Sequence, residues 1–181
     1  MVRRVDATAG PALAAAGLLA VGALGKVADP TDAAGAVRSV GLPASGLAVR
    51  LGALAELVIA AAAVVAGGGV AWGLVAASYA GFTAFVVLAL ARDGAIASCG
   101  CLGRRPTPPT VAHVIATVVL GAGAAGAAVT GSGGLATWPW SELSTWLVLG
   151  FAAITGWLAW IVVTALPGLQ VARTAEVSRG L

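Results

Sequence analysis

Only two cysteines occur in the 181 residues, and they lie one residue apart as Ser98-Cys99-Gly100-Cys101. The thiolate is the reactive form of cysteine, and two thiols within reach can pass through a mixed disulfide and close on each other. Gly100 supplies the backbone freedom that so tight a closure needs. The ring is smaller than that of a Cys-x-x-Cys pair, so its disulfide is expected to be strained and more oxidising. As a structural staple it gains little, because the stabilisation grows with loop length. Redox exchange is the leading reading and an inert thiol pair the second. A metal site is the weakest, since structural zinc takes four ligands and Cys99, Cys101 and His113 make three, leaving a second chain to supply the fourth.

Two more residues stand out. Glu56 lies nine residues past Leu47 in an apolar run, about 13 Å into a helix at 1.5 Å per residue. A carboxylate at that depth is costly and functional by default. Lys26, at the matching end of the preceding apolar run, can extend inward as its partner. The alternative is a neutral Glu56 hydrogen-bonded to Ser78 or Tyr79. Either a proton- or quinone-related role or a structural polar lock between helices follows. His113 falls about one turn into the next apolar run after the cysteines, where an imidazole could lower a thiol pKa or relay a proton. The rival reading is an interfacial histidine bonded to a backbone carbonyl or a headgroup.

The elements that must position these residues are membrane spans. Hydrophobic residues make up 60% of the chain and charged residues 9%, against roughly 25% charged in soluble domains. The apolar runs are long enough to cross about 30 Å of hydrocarbon as helices of about 20 residues. Five spans are expected, over residues 11–28, 47–66, 70–91, 110–130 and 144–166. Asp29-Pro30, Gly67-Gly68-Gly69, Gly131 to Gly134 and Pro167-Gly168 break them. Arg3 and Arg4 before an apolar stretch superficially fit a secretory signal, but with no convincing cleavage site the segment is read as a first membrane helix.

Between the first two spans, a Pro at a first helical position, Val37 and Val40 as apolar contacts, Arg38 facing water and Gly41 as a stop predict a short interfacial helix. Trp72, Trp138, Trp140 and Trp146 fall at span ends on one membrane side and predict an aromatic belt. Small residues at Gly121/Ala125 and Gly123/Ala127 suit close helix packing, unless the alanine and glycine simply reflect biased genomic composition. The ten Lys and Arg are scattered without a basic stripe, so nucleic-acid binding is not expected. No phosphate loop, dinucleotide fingerprint or haem-attachment motif occurs.

With the spans placed, the pattern resembles a known family. Lys26-Val27-Ala28-Asp29-Pro30, Gly41-Leu42-Pro43, Glu56 within the second span, and Cys99-Gly100-Cys101-Leu102-Gly103 after the third resemble the methylamine-utilisation MauE proteins, within the DoxX-like membrane proteins. Leu102 replaces the family's usual aromatic. The resemblance implies an all-α polytopic bundle whose four-helix core, similar to vitamin K epoxide reductase, occupies residues 1–130. A connecting loop, a fifth transmembrane helix and a polar tail fill 131–181. It also implies a multi-pass protein of the bacterial plasma (inner) membrane, with thiol-disulfide chemistry at Cys99 and Cys101 serving partner maturation. His113 and Glu56 would handle protons. The partner implied is a thioredoxin-fold protein; no cofactor is required, and a membrane quinone is one candidate electron acceptor.

Two rivals come from other classes. A non-catalytic accessory or scaffold subunit would pack against a larger membrane complex through spans four and five. A transporter would use Glu56 as a coupling site, but no inverted repeat supports it. Orientation divides the arguments. Lys26, Arg38, Arg50, Arg92, Arg104, Arg105, Arg173 and Arg179 gather on the cysteine side, against Arg3 and Arg4 opposite, and the positive-inside rule makes that side cytoplasmic. Disulfide formation belongs to oxidising compartments and favours the outside.

Overall fold

The computed structural model describes residues 8–91 and 110–164. They form α1 (Ala9–Ala28), α2 (Thr31–Ser39), α3 (Gly46–Val65), α4 (Gly69–Ala91), α5 (Val111–Thr130), a 3-10 turn (Leu135–Thr137) and α6 (Leu143–Thr164). All but α2 and the short turn are long and apolar enough to cross a membrane. The expected spans agree with these five helices to within two residues at nearly every end.

Helix ends follow local chemistry. Ser45 caps α3, its Oγ accepting the Ala48 N–H at 3.1 Å. Asp29 closes α1 and starts α2, its carboxylate accepting from the Thr31 N–H at 3.1 Å and hydroxyl at 2.5 Å. Pro30 occupies the cap position of α2 rather than its first turn. As expected, Val40 is buried, Arg38 is exposed and Gly41 stops the helix at φ 82°.

The spans alternate in direction, and α1 is the central one. Of its membrane-spanning residues 44% are buried, against 22% or fewer in each of the other four. It packs on α3, α5 and α6, while α4 packs chiefly on α5. Alanines make this possible: Ala12, Ala15, Ala16 and Ala23 are fully enclosed, and such small side chains let neighbouring backbones approach. Gly123 receives Pro11 so closely that a Cβ there would stand 2.8 Å from the Pro11 Cβ. Its expected companion Ala127 is also buried, whereas Ala125 is exposed on the open side of α4 and α5. Helix α6, the fifth span, lies directly along α1. Phe151 sets its ring edge against Gly10 of α1, while Leu147, Ile154, Trp157 and Leu158 are exposed.

One end of the bundle is closed by interlocked glycine turns. The 67–69 and 131–134 turns form an antiparallel bridge, with the Gly68 N–H donating to Ser132 O at 2.8 Å and the Gly134 N–H to Ala66 O at 3.1 Å. A Cβ on Gly67 would lie 2.2 Å from Gly134 N, so only glycine permits the approach. This corrects the aromatic-belt expectation for two residues. Trp72 and Trp138 are buried, their indole N–H groups donating to Ser132 O and Gly133 O at 3.0 Å each. Trp140 and Trp146 are exposed and meet edge to face at 5.9 Å, as interfacial indoles do.

Candidate functional site

The polar residues gather toward the opposite end, where α1 finishes, α3 begins, α4 finishes and α5 begins. Glu56 lies ten residues into α3, about 15 Å along its axis, close to the middle of a hydrocarbon layer about 30 Å thick. Lys26 belongs to the last turn of α1 and turns inward, its ammonium donating to Glu56 Oε2 in a close ion pair. The side chains are 10% and 19% exposed, so protein and the counter-charge replace water around both. The Lys26 Nζ also stands 4.8 Å from the centre of the Phe82 ring, a second electrostatic contact for the cation. The expected partnership of Lys26 with Glu56 is therefore what forms.

The alternative partners of Glu56 are engaged elsewhere. Tyr79 sends its hydroxyl across to Ala15 O on α1 at 2.8 Å, and Ser78 donates to Leu74 O on its own helix at 3.0 Å. Tyr79 also meets Phe82 edge-on at 5.8 Å, which steadies the ring beneath the ammonium.

His113, in the first turn of α5, is 3% exposed. Its Nδ1 is 2.9 Å from the Thr110 hydroxyl, and its Nε2 is buried with no partner among the described residues. This corrects the reading of an interfacial histidine bonded to a carbonyl or headgroup, because the helices enclose the ring. Next to it, Thr83 donates to Thr117 Oγ1 at 2.9 Å, and Thr117 donates to the His113 and Val114 carbonyls at 3.0 Å each. Lys26 and His113 line a common cavity of about 60 Å³. Its remaining walls are largely apolar and come from α1, α4, α5 and α6, among them Phe82, Leu120 and Trp160.

Cys99 and Cys101 lie outside the described residues, as do Arg92, Asp93, Arg104 and Arg105. The segment carrying them leaves α4 at Ala91 and rejoins the described chain at Thr110, both at this polar end. Among the described residues no three His, Cys, Asp or Glu side chains converge as a metal site.

Sequence reasoning did not single out Phe82, Thr83 or Thr117. The signal was present in the spacing: Tyr79, Phe82 and Thr83 recur at helical intervals on α4, and His113 and Thr117 do so on α5 behind the cap residue Thr110, so each set shares a face.

The arrangement can hold two opposite charges within the bilayer and offers an imidazole nitrogen to whatever enters the cavity. No curated protein and no solved structure matches the chain. The family profile described as methylamine utilisation protein MauE matches residues 5–131, which span α1 to α5 and the Cys-Gly-Cys segment, and the chain belongs to that family.

Proposed function

We propose that this chain is a membrane thiol-disulfide relay that assists maturation of partner proteins in methylamine utilisation. Cys99 and Cys101 would be the exchanging pair and a thioredoxin-fold protein the partner. The observation that carries the reading is a coincidence of place. In an otherwise apolar bundle, the Lys26–Glu56 pair and His113 gather toward the end from which the Cys-Gly-Cys segment departs. In one cycle a thiolate of the partner attacks the Cys99–Cys101 disulfide, and the partner's second thiol then displaces the mixed disulfide to close the partner's own disulfide. Two electrons and two protons pass from the partner to the pair, which is left as a dithiol while the partner departs with its disulfide formed. Reoxidation needs a second acceptor of two electrons and two protons, and a membrane quinone has the right chemistry. The chain would reside in the bacterial plasma membrane.

Thiol trapping in native membranes tests the reading. After acid quenching, a fraction of the chain should take up two mass-tagged alkylating groups only after reduction, and Ser at both cysteines should abolish partner oxidation. If both thiols stay reduced under every oxidant and growth condition, the relay fails. The accessory-subunit reading draws support from the membership in a utilisation family and from the long exposed apolar face of α6. On that reading, Ser at both cysteines leaves maturation unchanged.

A further inference from the structure

The His113 Nε2 atom raises a question of accounting. A buried polar atom without a partner is costly, and proteins normally satisfy such atoms with ordered water when there is room. Here there is room. The cavity beside His113 measures about 60 Å³, and a water needs roughly 10–15 Å³ of such space. A second polar anchor, Lys26 of α1, lines the same cavity. The Lys26 ammonium has three N–H bonds; one reaches Glu56 and another side meets the Phe82 ring, and no further described group accepts from it.

We propose that this cavity is a water site joining the His113 imidazole to Lys26, and through Lys26 to Glu56, which gives the polar end of the bundle a place inside the membrane to hold a proton. The water part stands on geometry alone. The use of the proton rests on the relay reading, because the partner's attacking thiol must shed its proton, and the proton must reside somewhere until the departing thiolate of the Cys99–Cys101 pair takes it up. Among the described residues, the charged and titratable groups facing His113 are Lys26 from α1, with Glu56 of α3 behind it, and Tyr79 from α4. Helix α6 contributes only Ala159 and Trp160 to the lining. Tyr79 is committed to Ala15 O, so Lys26–Glu56 is the pair through which His113 communicates.

The chain contains a single histidine, so nitrogen-15 labelling of histidine gives one imidazole signal. In bilayers, solid-state NMR should show magnetisation passing from water protons to the His113 ring nitrogen in the wild type. Ala116→Leu, which fills the cavity from α5 without touching a polar group, should abolish that transfer. Ala159→Val fills it from α6 if the first variant does not fold. Absence of transfer in the wild type, or transfer that survives filling in a folded variant, overturns the water site. Replacing both cysteines by Ser should leave the transfer intact, so a failed relay and a dry cavity give different results.

Discussion

The two ends of this bundle are built on opposite principles. At one end the 67–69 and 131–134 turns lock by backbone contact, and the buried indoles of Trp72 and Trp138 donate to the carbonyls between them. The side chains that add to this lock, the two indoles and the hydroxyls of Thr8, Thr130 and Ser132, are all neutral. At the other end the contacts are made by side chains: an ion pair, an imidazole with one nitrogen unpartnered among the described residues, and a cavity. Side-chain charge in a membrane is expensive and titratable, whereas backbone docking is neither. The difference assigns rigidity to the first end and chemistry to the second.

The largest effect should come from the locked end. Gly134→Ala would put a Cβ 2.4 Å from Val65 O and 2.6 Å from Gly67 N, both backbone atoms that cannot swing aside. We expect a loss of about 4 kcal/mol, enough to leave little folded protein in mild detergent. Thermal unfolding followed by circular dichroism measures it. A variant as stable as the wild type would break the comparison, since the turns would then not be holding the helices.

The polar end should answer differently to single and double substitution. Lys26→Met leaves the Glu56 carboxylate buried without its counter-charge and should cost about 3 kcal/mol. Combining Lys26→Met with Glu56→Leu removes both charges and should return most of that stability, because apolar replacements of a buried pair are often neutral. Partner oxidation should nevertheless stay low in the double variant. Recovery of both stability and activity would reduce Glu56 to a packing residue.

These contrasts also explain what could be read from the sequence. The spans were legible because length and hydropathy are properties of a contiguous run. The Lys26–Glu56 pair was legible because a membrane charge must find its opposite, and few opposites exist. The locked end was not, because it is made by two glycine turns more than sixty residues apart, and nothing local separates a docking turn from a flexible one. For the same reason Trp72 and Trp138 looked like their exposed neighbours Trp140 and Trp146. The central position of α1 was hidden too, since all five spans are similarly apolar and only packing ranks them. His113 looked interfacial by its place near a helix start; its enclosure depends on how α1, α4 and α6 pack around it.

The smallest expected effect separates contact from conformation within the locked end. Gly131 ends α5 in the left-handed region at φ 65°, its N–H reaching back to Ala127 O and Ala128 O, as glycine commonly does after a helix. Nothing lies within 4 Å of where its Cβ would be, whereas the Cβ of a residue at 134 would collide with backbone. Both positions belong to the same turn, so a general softness of that turn would make the two substitutions equally costly or equally harmless. If close backbone approach is what locks the end, Gly131→Ala should cost only the left-handed preference, about 1 kcal/mol. That is a few degrees in the unfolding midpoint, with partner oxidation unchanged. A Gly131→Ala loss as large as that of Gly134→Ala would mean that backbone conformation, and not interlocking contact, holds the end shut.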